Sequence, residues 1–530
     1  MGNQLLSSKV VIVEEEPTIR SVPALPTAIL GAVGITERGP IDVATLVTSP
    51  EDYRDLFGGF TPNSDLALAI EGFFDNGGQT AFIVRTVHHA DAGNPATKTS
   101  SAATLTLADR ATPAVPTLQV DATSDGTYAN ALQIVIGPAT SGAAAEFNLT
   151  VEDRGFIVDV FPSLSMTPSR PNYVEKIVND PVRGSNLVRV TDLHSASATP
   201  ANLPLAGTFG PLAGGGDGLA GLDDNDFIGS AAGRTGMRAL DLVQNVTLLI
   251  VPGRSSAAMH NAMLSYCELV RDKGCFAILD PPANQTAVGI VTYVETTAAI
   301  GGLSEMGAIY WPRVKVRNPS TVVFGNDPDL TVPPSGHIAG VFARVDSSVP
   351  GGVYIPPAGI GAGRLVGVIG FETDEVLDEA RRDLVFPKLI NPLTVLPGTP
   401  RFIDGARTLK ADGNFPTVAE RRGVSFIEQS LKLALQVVRH RNITEALLAE
   451  ATRTATAFLL IQTKNKAFAS LNPKTAFFVD FGPALNPPST AQARQVVGRI
   501  GVATAKPAEF VILRISQDTR ALDAELAASG

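Results

Sequence analysis

The residue best placed for chemistry is Asp280, which closes the apolar run 275–280 at the carboxyl end of an expected parallel strand. Open α/β sheets carry their reactive groups at that end. Pro281 and Pro282 follow directly, and the three residues read more simply as a rigid turn. Gly214-Gly215-Gly216-Asp217-Gly218 has the glycines of a phosphate-cradling loop, but no Lys-Ser or Lys-Thr closes it, so it reads as a connector. Gly359-x-Gly361-x-Gly363 lacks the spacing of a dinucleotide fingerprint and leads into a strand where that fingerprint needs a helix. The six histidines (88, 89, 194, 260, 337, 440) show no His-x-x-x-His pair, and alternation along a strand end points His88 and His89 apart. Cys267 on a helix and Cys275 at a strand start read as core thiols. No catalytic residue, cofactor site or metal site is expected, and the chain reads as a non-enzyme.

The elements that would have to position such residues alternate between strand and helix. The run 27–35 is almost continuously apolar, as a strand buried on both faces should be. Ser49-Pro50-Glu51-Asp52 starts a helix, with Ser as cap and Pro at the first position. A second helix, 64–75, carries Leu66, Ala69, Ile70, Phe73 and Phe74 at helical spacing and leads to the strand 80–87, which completes a β–α–β crossover. Residues 90–215 differ: they are rich in Ala, Thr, Ser, Gly and Pro, with alternating stretches at 104–109, 132–136, 147–153 and 187–193 that predict an inserted antiparallel unit. Alternation of helix and strand then resumes, with helices at 233–243 and 256–272 and strands at 246–251, 275–280, 308–316 and 364–370. From 371 a separate unit is expected, with helices near 374–383 and over 417–440 and strands at 476–480 and 509–515.

Composition narrows the function classes. Of 530 residues 18% are charged, against about 25% in ordinary soluble proteins, and 44% are hydrophobic. That excludes intrinsic disorder. The 42 basic and 52 acidic residues leave a net charge of −10, which argues against a nucleic-acid partner. No apolar run is long enough to span a bilayer, and Glu14-Glu15-Glu16 contradicts a secretory leader, so a cytoplasmically folded product without membrane contact is expected. So little charge on so long a chain means either large cores or an outer surface covered by other subunits. The opening segment Lys9-Val10-Val11-Ile12-Val13 sharpens the question. It has strand character, but Glu14–Glu16, Pro17, Pro23 and Pro26 cut it off from any hairpin partner. Unpaired strand backbone is costly, so it must pair with a sheet edge in its own domain or in another molecule.

Taken together, the motifs resemble the sheath proteins of contractile phage tails and related contractile injection systems. The blocks that carry the resemblance are VVIVEEEP, GITERGP, LVTSPEDYRDLFGGF, GFFDNGGQTAFIVRTV, DGTYANALQIVI, GGGDGLAGLDDNDFIG, LDLVQNVTLLIVPG, YCELVRDKGCFAILDPP, IYWPRVKV, PPSGHIAGVFARVD, INPLTVLPGTPRFIDGARTL, VAERRGVSFIEQSL and KPAEFVILRIS. They follow the family's order over nearly the whole chain. Asp404 stands where the family usually has Trp, the arm lacks the usual Pro-Gly lead, and 432–456 lacks an aromatic-rich stretch.

The resemblance implies an α/β multidomain fold. A sheath domain (27–89 and 216–370) would carry an inserted outer antiparallel β domain (90–215) and be followed by an inner α+β domain (371–508), with an N-terminal arm (1–26) and a C-terminal strand and tail (509–530). It implies hexameric rings stacked around an inner tail tube, with baseplate and tail-terminator proteins as further partners. Strands Lys9, Val10, Val11, Ile12, Val13 and Glu509, Phe510, Val511, Ile512, Leu513, Arg514, Ile515 would be donated to a neighbour's sheet, with 14–26 and 501–507 as flexible linkers. A helix of the inner domain would face the tube, the protein would end in the virion tail, and contraction would need no cofactor. A sheath from a non-phage injection machine and an oligomeric α/β enzyme are the alternatives. Apolar surface is expected at the two ends and in the inner domain, with 90–215 facing solvent.

Overall fold

The computed structural model describes residues 25–373, 379–509 and 512. Its centre is an eight-stranded sheet in the order Phe402–Ile403, Ile390–Thr394, Gly307–Trp311, Phe276–Leu279, Leu248–Ile250, Leu30–Gly34, Ala81–Arg85, Thr45–Val47. The six inner strands run parallel and the two outer ones antiparallel to their neighbours. Leu30–Gly34 is buried at every position, which is why its sequence shows no alternation.

Helices cover both faces. On one, Pro50–Phe57 begins as expected: the Ser49 hydroxyl accepts from the Asp52 amide at 3.0 Å, and Pro50 opens the first turn. Leu66–Asp75 packs on the same face against Ser335–Ser348, and the two helices approach closely because glycines line the contact. A Cβ at Gly336 would lie 2.1 Å from the Ala69 carbonyl, and one at Gly340 2.4 Å from that of Phe73. The opposite face is covered by Gly236–Leu242, Ala257–Ser265 and Ala287–Thr292.

Several elements differ from the sequence reading. The helix expected at 233–243 is a 3-10 helix, Gly236–Leu242, and the one at 256–272 passes into a π-turn at Tyr266–Val270. The strand expected at 308–316 breaks at Pro312, which has no amide to donate to a ladder. Gly307–Trp311 stays in the main sheet, while Val314–Arg317 joins a three-stranded sheet with Asp329–Val332 and Val368–Phe371. Only Val368–Phe371 of the strand expected at 364–370 forms, and the helix expected near 374–383 is described as Glu379–Val385. The separate unit expected from 371 also begins differently, since Ile390–Thr394 and Phe402–Ile403 extend the central sheet. Pro392 hid this strand. The fully buried Asn391 bridges the gap, donating to Ile309 O at 3.2 Å and Arg407 O at 2.8 Å and accepting from Arg407 N at 2.8 Å.

Residues 104–209 form two antiparallel sheets over one shared core that includes Leu118, Val120, Ile134, Phe147, Leu149 and Val174. Buried Arg85 fastens this unit to the central sheet, donating to Gly39 O at 3.0 Å and Asp125 O at 2.8 Å. His88 and His89 pair beside it with Asp226 at 2.9 Å and Asp42 at 2.7 Å. Beyond the central sheet, helices Val418–Ala434 and Glu445–Lys464 and the hairpin Phe477–Asp480/Arg499–Val502 share a smaller core built on Ile427, Phe458, Phe468 and Phe481.

Candidate functional site

The residues singled out for chemistry in the sequence are tied into the fold. The Asp280 carboxylate accepts from the amide and hydroxyl of Ser335 at 2.9 and 2.8 Å, and so caps the first turn of Ser335–Ser348. Burial pushes its pKa up to about 6, against the pull of those two bonds. His260 bonds the Tyr293 hydroxyl at 2.8 Å, and His337 is packed against Gly72; burial holds both near a pKa of about 4, so both are neutral at pH 7. Cys267 and Cys275 are buried free thiols. Gly214–Gly218 links the inserted unit to the central sheet: Gly215 donates to Asn130 at 2.9 Å, and Ser101 bonds Gly216 O at 3.0 Å. Gly359–Ala362 is a single helical turn. Among the described residues no cluster of His, Cys, Asp and Glu could hold a metal ion, and no helix is long and apolar enough to cross a membrane.

What remains is a set of features suited to joining chains. The hairpin Phe477–Asp480/Arg499–Val502 is a sheet of only two strands among the described residues, so each strand has one side without a ladder partner. Phe477 and Val479 face the small core while Phe478 is half exposed. Two-stranded sheets are marginal alone, and open edges are templates for a further strand. The segments expected to supply such strands, Lys9–Val13 and 510–515, lie outside the described residues except Ile512, which is 81% exposed. Glu509, the first residue of the second segment, is irregular and fastened to its own chain. Arg407 donates to its two carboxylate oxygens at 3.0 and 2.6 Å, with the guanidinium 3.9 Å from the centre of the Phe386 ring.

The linker expected at 501–507 is likewise anchored. Arg499–Val502 is a strand, Thr504 forms a bridge with Phe468, and the Thr504 hydroxyl donates to Glu420 at 2.8 Å. Glu420 begins a run of three buried charges on Val418–Ala434 that the sequence reading passed over. Arg421 reaches Glu428 at 2.7 Å and Glu305 at 3.5 Å. Arg422 pairs with Asp346 at 2.6 and 3.0 Å and donates to Thr27 O at 2.9 Å. Thr27 is where the chain enters the central sheet. Consecutive charges on an otherwise amphipathic helix cannot all face solvent, and that was the available signal. Asp404, the departure from the family pattern, is paired with Arg382 at 2.9 Å.

The expected distribution of apolar surface is corrected in one respect. The inserted unit presents an apolar edge: Phe156, Ile157, Val158 and Val160 are 75%, 64%, 43% and 57% exposed on Phe156–Leu164, the outer strand of the four-stranded sheet.

Residues 232–409, about a third of the chain, match the family model described as phage tail sheath protein central domain. Comparison with curated protein sequences gave no match. Among solved structures, the contracted helical sheath of the anti-feeding prophage is similar at a TM-score of 0.56 and 19% identity, covering 96% of this chain and 99% of that one. The contracted sheath complex of the extracellular contractile injection system PVC gives 0.54 and 19%, covering 98% and 100%. The sheath tail protein of Desulfitobacterium hafniense gives 0.56 and 12%, covering 89% and 93%. Residues 232–409 are thus similar to the sheath central domain, and the chain has the fold of the sheath structures along nearly its whole length.

Proposed function

We propose that this chain is the sheath subunit of a contractile tail or injection machine, polymerising as stacked hexameric rings around an inner tube and contracting to drive that tube through a cell envelope. The observation that carries it is the likeness to sheath structures over 96% of this chain and 99% of the other, together with the sheath central domain at 232–409. The two-stranded hairpin fits the assembly. Its strands are four residues long, close to the five of Lys9–Val13, and it has an edge for one strand on each side. A neighbour's N-terminal segment and another neighbour's C-terminal segment would complete a four-stranded sheet. Such contacts are heterologous, so they propagate into an open helical lattice instead of closing as a dimer. Main-chain ladders keep subunits joined while the rigid bodies rotate, and contraction is driven by larger interfaces in the final state, without hydrolysis.

The family model favours a phage tail, with the protein located in the virion and the tube, baseplate and terminator proteins as partners. Likeness to the anti-feeding prophage and PVC sheaths favours a second reading, an injection machine outside a virion. The test is assembly. Purified chain should form tubes visible by negative-stain microscopy, and deleting residues 1–16 should leave a folded monomer that forms none. Long tubes from the deleted chain would refute strand donation, and a parent chain that stays monomeric at high concentration would refute the sheath reading.

A further inference from the structure

The segment 503–509, Ala-Thr-Ala-Lys-Pro-Ala-Glu, contains no large apolar side chain, so hydrophobic burial does not hold it in place. Backbone bonds of Ala503 to Ala476 and Ala469 hold its start, and side-chain bonds five residues apart secure the rest: Thr504 to buried Glu420, and Glu509 to Arg407. Both acceptors and donors are themselves fixed. The second Glu420 oxygen accepts from Thr417 at 2.9 Å, and the Arg407 backbone is held on both sides by buried Asn391. Between the two bonds Pro507 fixes its own φ and keeps Lys506 extended. The segment is a short, stiff spacer secured at both ends.

Two residues along the same helix from Glu420, Arg422 secures the other end of the chain at Thr27 O. We infer that Val418–Ala434 and Arg407 form a common anchor for both inter-subunit segments, with Glu420, Arg422 and Arg407 as positioning residues that fix where each segment leaves the body. Thr27 and 501–509 then move with their own subunit. This rests on the sheath reading and goes beyond it. The lattice spacing would be set by where these rigid exits stand.

The test uses the full chain with Ala508→Cys carrying a nitroxide label, which is selective because Cys267 and Cys275 are buried. In dilute, unassembled protein the label should be slow in the parent and become mobile on Thr504→Val or Glu509→Gln. Glu509→Gln lies on an exposed residue outside the core, so its melting temperature should hold. Thr504→Val leaves one oxygen of buried Glu420 without its donor and should lower the melting temperature, so the label in Glu509→Gln is the deciding reading. The concentration threshold for tube formation should rise about 10-fold in the double variant. A label as immobile in the variants as in the parent would overturn the anchoring, and a mobile label with an unchanged threshold would overturn the positioning role. A parent chain that makes no tubes at any concentration would bring down the sheath reading and this inference with it, an outcome distinct from both.

Discussion

Replacing Arg422 by Met tests how the helix Val418–Ala434 is joined to the central sheet. The guanidinium makes two bonds to Asp346, one to Thr27 O, and stands 4.8 Å from the centre of the Phe342 ring. Both partners of the ion pair are almost fully buried, with side chains 4% and 3% exposed. Removing one leaves an uncompensated carboxylate in a low-dielectric interior, which costs about 3–5 kcal/mol. Met fills the volume of the Arg stem, so the loss should come from the stranded charge and not from a cavity. Trp311 is the chain's one tryptophan and is fully buried in the central sheet, so its fluorescence reports unfolding of the unit concerned. With a urea slope of about 3 kcal/mol/M, the midpoint should fall by about 1–1.7 M. Adding Asp346→Leu removes the stranded charge, and the double variant should recover most of the midpoint. A single variant within about 0.3 M of the parent, at about 0.1 M per 0.3 kcal/mol on the same slope, would refute the claim that this pair joins the two units. So would a double variant no better than the single.

Two buried histidines should make a destabilising contribution on acidification below pH 6.5. The folded-state pKa values of His260 and His337 are lowered to about 4 by burial, so the unfolded chain takes up protons the fold refuses, and stability falls from pH 6.5 towards 4. Asp280, raised to about 6 by burial, works in the opposite direction, adding stability as pH falls from 6 towards 3.8. His337→Met should remove the share of one histidine, up to about 3 kcal/mol, from the difference between urea melts at pH 7 and pH 4.5. Gly72→Ala places a Cβ 2.5 Å from the His337 ring and should cost about 1–3 kcal/mol by overpacking, read by the same melts. Ser49→Ala removes a helix cap and should cost about 1 kcal/mol. Phe156→Ser, at a position 75% exposed, should leave stability within about 0.5 kcal/mol while lowering light scattering of concentrated monomer.

The parts of the fold legible in the sequence were those where one local rule dominates. Continuous apolar runs marked the parallel strands Leu30–Gly34 and Phe276–Leu279, Ser49-Pro50 marked a helix start, and alternation marked Phe147–Asp153 and Val188–Asp192. What stayed hidden depends on tertiary context. Ile390–Thr394 carries a proline and reads as a loop until the Asn391 amide is seen to replace the missing ladder bonds. The anchored course of 501–509 was invisible because its partners, Glu420 and Arg407, are 84 and 102 residues away in sequence. Phe156–Leu164 was missed for another reason: the run is apolar on both faces near its turn, so it has no alternation to read.

The placement of buried charge shows how the units of the chain are held to one another. In an active site, buried ionisable groups converge on a cleft. Among the described residues each buried arginine spans a joint between units. Arg85 ties the inserted sheets to the central one, Arg421 ties Val418–Ala434 to Glu305, and Arg422 ties it to Asp346 and the chain entry at Thr27. Apolar joints tolerate sliding, because the hydrophobic effect has no direction. A buried ion pair does not, because a small displacement leaves both charges desolvated and unpaired. A chain with only 18% charged residues has therefore placed several of its scarce charges where they make its bodies rigid. If the chain works as the contractile sheath subunit proposed above, sliding between subunits transmits force only when the bodies themselves do not yield, so the same substitutions that loosen these joints should slow or stall contraction before they unfold the monomer.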